Sequence, residues 1–148
     1  MIDNIPLPAT DDPIDSEYWK GTLKSKLLLQ CCRHCGRKRF PPRPMCPDCQ
    51  HADHTWEEVS GRGRIWSFTA PQSPLLPAFE ALKPYVTALV QLEEDPSLRI
   101  VGPVLYEPRG NIQGVEASRV YIGQKVSVTF KDYSEDVAMP CWVLQSDN

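Results

Sequence analysis

The sequence predicts a mainly β chain: a short N-terminal helix, a zinc ribbon, then a small closed β-barrel. Three observations carry this. Cys32-Arg33-His34-Cys35 is followed ten residues later by Cys46-Pro47-Asp48-Cys49. From Thr55 onward, short runs of alternating apolar and polar residues are separated by glycine, proline and acidic turns. Fifteen prolines in 148 residues favour short elements and ordered loops over long helices.

The helix is read from its start signals. Asp12 can cap, Pro13 suits the first helical position, and Asp15 and Glu17 complement the positive helix end. Ile14, Tyr18, Trp19 and Leu23 then recur at helical spacing, and the helix ends near Gly21–Ser25. The apolar stripe must cover something, either its own domain or a partner chain. Lys26–Cys31 is a short strand running into the first cysteine pair, and Arg37–Phe40 can return antiparallel to it. Pro41, Pro42 and Pro44 stiffen the approach to Cys46. Strand, knuckle, strand, knuckle is the layout of a zinc ribbon.

In the second half, Trp56–Val59 is a strand and Ser60-Gly61-Arg62-Gly63 a turn, with glycines for positive φ or a bulge. Further strands are expected at Arg64–Thr69, Tyr85–Leu92, Leu98–Tyr106, Gln124–Lys131 and Met139–Leu144. Val86, Ala88, Val90 and Leu92 share one face. Pro103 demands an edge or a bulge. Pro71–Pro84 is a long connection with room for one helical turn, and Glu107–Arg119 is irregular. Such strands close into an OB-like barrel, with an SH3-like barrel as the competing closure. The division expected is an arm and helix over residues 1–30, a ribbon over 31–54 and a barrel over 55–148.

Hydrophobic residues make up 41% of the chain and charged ones 24%, enough apolar content for a buried core. The N-terminus lacks a basic and apolar leader pattern, and no apolar run spans a membrane, so a cytoplasmic location is expected. In a reducing compartment, paired Cys-x-x-Cys reads as metal or redox chemistry rather than disulfides. Four thiolates fill a tetrahedral zinc and leave no open position. Cys32, Cys35, Cys46 and Cys49 are therefore the expected ligands of a structural zinc. A rubredoxin-type iron site and a redox dithiol are the alternatives. Cys31 stands outside the register. His34, His51 and His54 cluster nearby, with His51 a possible substitute ligand.

Residues 31–50 carry Arg33, Arg37, Lys38, Arg39 and Arg43 against Asp48 alone, a net +4, while the chain as a whole is −3. Such a segment is either a solvated face or a site for anions: cofactor phosphates, an acidic partner or nucleic acid. The acidic balance of the barrel half argues against nucleic acid. No catalytic constellation is visible. Glu93-Glu94-Asp95 reads as a hairpin turn, Cys141 as a buried small residue, and Trp56, Trp66 and Phe68 as core rather than stacking platforms.

Taken in order, Tyr18-Trp19, Leu29–Gly36, Phe40-Pro41-Pro42-Arg43, Cys46–Cys49, Gly61-Arg62-Gly63, Trp66–Thr69 and Pro84–Val90 resemble a known family. It comprises the small bacterial and archaeal proteins that join a rubredoxin-like zinc ribbon to an OB-fold, classed as a domain of unknown function. The resemblance covers about residues 12–146. It implies a non-catalytic accessory subunit, hetero-oligomeric with a thiolase-fold acyl-CoA enzyme. Thiolysis or retro-aldol C–C cleavage of steroid side chains or aromatic acids is the setting it implies. Other members accompany hotdog-fold enoyl-CoA hydratases. On this reading, coenzyme A thioester is met only through the complex. Arg37, Lys38, Arg39 and Arg43 are candidate contacts to its phosphates or to the partner, and Tyr18, Trp19, Leu75, Leu76 and Phe79 are candidate partner contacts. Two departures stand out: Gln50 where the family usually has glycine, and a longer Tyr106–Arg119 segment. The rival readings are a nucleic-acid-binding ribbon/OB module and an enzyme using Cys31 or Cys141 as its thiol.

Overall fold

The computed structural model describes residues 5–146. Of the arm expected ahead of the helix, residues 1–4 lie outside the described residues. The rest runs without regular structure to α1 (Ser16–Leu23). The helix begins three residues later than its start signals suggest: its N-cap is Asp15, which makes no side-chain cap hydrogen bond. Asp12 and Pro13 instead form the turn that leads in, where Asp12 Oδ1 accepts the Ile14 N–H at 2.8 Å and the Asp12 carbonyl accepts the Ser16 N–H at 2.9 Å. The helix ends on Ser25 at φ +58°, with the Lys26 N–H donating to Gly21 O and the Ser25 N–H to Thr22 O. That is a Schellman cap built without its usual glycine.

Strand β1 (Leu28–Cys32) is central in a three-stranded antiparallel sheet, flanked by β2 (Lys38–Arg39) and β3 (His54–Glu58). The sequence reading attached the strand at Trp56 to the barrel. Its pairing, Leu28 opposite Glu58 through Cys32 opposite His54, places it in the ribbon sheet.

Five strands close the barrel: β4 (Arg62–Thr69), β5 (Thr87–Leu92), β6 (Arg99–Leu105), β7 (Lys125–Asp132) and β8 (Ala138–Leu144). Their order is β4-β5-β6-β8-β7, with β7 returning to β4 through Arg62 opposite Ser127. The β6–β8 step is parallel and every other step is antiparallel. This is the Greek-key closure of an OB-fold. Val86, Ala88, Val90 and Leu92 all point inward, as their alternation requires. Pro103 sits one residue before β6 begins pairing with β8 at Val104, so its missing N–H interrupts no ladder there.

The two glycines at the start of β4, Gly61 before it and Gly63 within it, differ in purpose. Gly61 has φ +70°. Gly63 has an ordinary backbone but no room: a Cβ there would lie 2.4 Å from the Gln91 carbonyl oxygen. The turn Glu93-Glu94-Asp95 clips this corner. Glu93 pairs with Arg62 at 2.8 Å, and Glu94 accepts the Ser60 N–H at 2.6 Å.

One apolar core runs through helix, ribbon and barrel, from Tyr18, Leu27 and Leu29 to Ile65, Val90 and Trp142. A second, smaller cluster lies under the long connection: Tyr85, Leu105, Ile112, Tyr133, Val137 and Val143, with Ile5, Leu75 and Phe79 packed on it. The connection contains one helical turn, α2 (Pro77–Glu80). Among the described residues no helix is long and apolar enough to cross a membrane.

Candidate metal centre

The two knuckles are near copies. In each, the first cysteine's N–H donates to the carbonyl five residues on, Cys32 to Arg37 and Cys46 to His51, both at 2.9 Å. In each, the residue after the second cysteine donates back to the first cysteine's carbonyl, Gly36 at 2.9 Å and Gln50 at 3.0 Å. That residue must be left-handed to do so: Gly36 has φ +75° and Gln50 has φ +61°. Glycine adopts this freely, and glutamine only at a cost.

The knuckles bring the four thiols together, with all Sγ atoms within 4.8 Å of one another. Cys32 and Cys49 Sγ are 3.5 Å apart, and Cys35 and Cys46 Sγ 3.6 Å. Four sulfurs about 2.3 Å from a zinc stand about 3.8 Å from one another, so the cluster fits a tetrahedral ion. The electrostatics divide each knuckle, lowering the leading thiol while desolvation and hydrogen bonds among the thiols leave Cys35 and Cys49 raised. The Cys49 backbone N–H, reinforced by that of Asp48, holds the Cys46 thiol down to about 6. The Cys35 N–H lowers Cys32 in the same way. Each turn thus stabilises the thiolate of its leading cysteine, the form that binds metal. The donor set supports a structural zinc with no position left for a substrate.

The basic residues of the ribbon do not form one open patch. Arg37 pairs with Asp48 at 2.5 Å and Lys38 with Glu57 at 2.9 Å. Arg39 is only 3% exposed, its Nε donating to Gln30 Oε1 at 2.7 Å and its Nη2 to the Arg43 carbonyl at 3.1 Å. Its neighbour Gln30 also receives the Arg43 N–H, at 2.8 Å, so this pair ties β1 to the proline loop. Arg33 and Arg43 are exposed and make no ion pair among the described residues.

The expected partner contacts are mostly committed inward. Tyr18 is 3% exposed, and its ring meets Trp19 edge-on at 5.0 Å and Phe40 at 5.5 Å. Trp19 packs on the main core, and Leu75 and Phe79 on the second. Leu76, at 61%, is the exposed member of the five. Trp66 was expected in the core but is 45% exposed. It sits at the β4 bulge between Ile65 and Ser67, with the Arg99 guanidinium 3.9 Å above its ring. The rival catalytic thiols are unsuited to nucleophilic work. Cys141 is fully buried and pushed up to about 12 by desolvation, and Cys31 is buried and raised for the same first reason.

A family model described as the ChsH2 rubredoxin-like zinc ribbon domain matches residues 19–57, and one described as the ChsH2 C-terminal OB-fold domain matches residues 56–131. The chain belongs to the ChsH2 zinc-ribbon/OB-fold family. A "DUF35 domain-containing scaffold protein" of Pyrococcus furiosus is similar to this chain over most of both lengths. The two are 30% identical over 121 residues, covering 82% of this chain and 83% of that one. A "Probable enoyl-CoA hydratase alpha subunit" of Thermomonospora curvata is 32% identical over 136 residues. That match takes in 91% of this chain but only 38% of the relative, so the ChsH2-type chain spans well under half of that protein. Among solved structures, a chain of the "Ltp2-ChsH2(DUF35) aldolase" superposes with a TM-score of 0.78 at 28% identity, covering 93% of this chain and 98% of that one.

Proposed function

We propose that this chain is a non-catalytic, zinc-binding accessory subunit of a thiolase-fold acyl-CoA enzyme. In this reading Cys32, Cys35, Cys46 and Cys49 hold a structural zinc that fixes the ribbon against the helix and barrel. The partner supplies the reactive groups for thiolysis or retro-aldol cleavage in steroid side-chain or aromatic-acid breakdown. The observation that carries the reading is the match, over 93% of this chain and 98% of the other, to a chain of the "Ltp2-ChsH2(DUF35) aldolase". The closed thiol cluster and the buried, high-pKa Cys31 and Cys141 are consistent with chemistry in another subunit.

The partner surface then draws on Leu76 and the exposed barrel residues Trp66 and Val101, since Tyr18, Trp19, Leu75 and Phe79 are already packed. Coenzyme A phosphates would be met by Arg43, joined by Arg33, because Arg37 and Lys38 are paired and Arg39 is buried. The test is co-expression with a thiolase-fold acyl-CoA enzyme from the same source. A stable complex is expected, and Arg33→Ala/Arg43→Ala should raise its KM for acyl-CoA without preventing assembly. Two chains that elute separately would refute the assignment. A second reading, partnership with an enoyl-CoA hydratase, is favoured by the Thermomonospora relative, and preferential co-purification of a hydratase would select it.

A further inference from the structure

The outer face of the barrel carries a row of charge that its own strands do not balance. The register sets Lys125 directly opposite Arg64, Arg64 opposite Gln91, and Gln91 opposite Arg99. All three cations are exposed. The adjacent strands β7, β4, β5 and β6 therefore share a row with three cations and no acid. Like charges set directly opposite each other weaken strand pairing. One row along, Arg62 shows the usual remedy, since it donates to Glu93 at 2.8 Å. Among the described residues, Lys125, Arg64 and Arg99 form no ion pair.

The two arginines are also held in place. Arg64 Nη1 donates to the Gly123 carbonyl at 3.0 Å, and the Arg99 guanidinium lies 3.9 Å from the centre of the Trp66 ring. An arginine left to solvent keeps its rotamer freedom, whereas these two have given up much of theirs before any partner arrives. Each still has N–H donors for the planar, two-pronged bond to a carboxylate. Apolar surface adjoins the row. Trp66 is 45% exposed, Val101 59%, and Ile122, next to Gly123, 68%. An apolar centre bordered by arginine is the profile of a protein interface. A groove for single-stranded nucleic acid would need open aromatic faces, and Trp66 already has Arg99 stacked on its ring.

We propose that this barrel face docks an acidic segment of the partner enzyme. Its carboxylates meet Arg64, Lys125 and Arg99, and an apolar side chain sits against Trp66 and Val101. The proposal rests on the accessory-subunit reading above and adds the chemistry of the partner's surface. It also accounts for the unbalanced row, because repulsion kept in the free chain is relieved on assembly.

The test is the affinity of the full chain for a thiolase-fold acyl-CoA enzyme from the same source, measured at low and high salt. Binding should weaken as salt rises. Arg64→Glu and Lys125→Glu should each weaken it by about tenfold or more. Lys24→Glu, the same charge change on the exposed end of α1, should leave it unchanged. Lys125→Glu sets an acid opposite Arg64 and breaks no side-chain bond among the described residues, so its urea midpoint should hold or rise. Lost affinity is then not lost fold. Binding that ignores salt and both reversals would overturn the proposal. So would finding that the reversals instead abolish a dimer of this chain or its binding of a single-stranded oligonucleotide. A wild-type chain that binds no such enzyme would refute the accessory-subunit reading and the proposal with it, so the two failures are distinguishable.

Discussion

Gly36 and Gln50 offer a two-sided test of the knuckle geometry. Both must be left-handed, at φ +75° and +61°, to close their turns on Cys32 and Cys46. A Cβ added at Gly36 would meet nothing within 4 Å, so Gly36→Ala changes only backbone energetics. The left-handed conformation costs a side-chain-bearing residue roughly 1–2 kcal/mol. Reduced freedom of the unfolded chain returns about 0.4–1 kcal/mol of that. The net is a loss of about 1 kcal/mol. Because zinc binding and ribbon folding are one equilibrium, that loss is about fivefold in zinc affinity. Gln50→Gly runs the other way. The Gln50 side chain is exposed and makes no hydrogen bond among the described residues, so relief of strain is its main effect. Two- to fivefold tighter zinc is expected, and the double variant should return close to wild type. Competition against a chelator of known zinc affinity at neutral pH measures all four proteins. If Gln50→Gly weakens binding, or Gly36→Ala leaves it unchanged, the left-handed turns are not what holds the cluster.

Three further outcomes follow from the fold. Ser25→Gly should stabilise the chain by roughly 0.5–1 kcal/mol, seen as a higher urea midpoint, because Ser25 fills the left-handed position of a Schellman cap. Gly63→Ala should destabilise it by about 1–3 kcal/mol, since the new methyl meets the Gln91 carbonyl at 2.4 Å across the β4–β5 ladder; an unchanged midpoint would mean the barrel corner is looser than described. The Lys38 ammonium, hydrogen-bonding Glu57, holds that carboxyl below its usual 4.5. A depressed folded-state pKa contributes stability above the ordinary value that is lost as pH falls through the folded one. The stability gap between wild type and Glu57→Gln should therefore be constant near neutrality and close below about pH 4.5; a gap that widens in acid contradicts the pairing.

The elements were largely legible because each rests on local chemistry. Alternation fixed β5 and β7, and Asp12-Pro13 marked the turn into the helix. The thiol cluster was legible too, because Cys-x-x-Cys geometry is set within one turn. What escaped was what covers each apolar stripe. Helical periodicity puts Tyr18 and Trp19 on a face but does not say that Phe40 and the barrel will meet it. Arg39 looked like one more surface cation. Its burial depends on Gln30 lying opposite it across the β1–β2 pair, a register no spacing announces. Ile112 and Val115 are buried in the irregular segment without any period to mark them. Trp66 faces solvent because it shares the outward face of β4 with Arg62 and Arg64, opposite the buried Gly63 and Ile65; its aromatic bulk, not its place in the alternation, suggested core.

The central claim is that this chain enables chemistry it does not perform. Reconstitution with a thiolase-fold acyl-CoA enzyme tests it most directly, by following acyl-CoA cleavage by that enzyme alone, by this chain alone and by the mixture. The account predicts turnover that rises in the mixture, none from this chain alone, and full activity when Cys31→Ser and Cys141→Ser are combined. Turnover by the isolated chain, or its loss in the double serine variant with the complex intact, would contradict it.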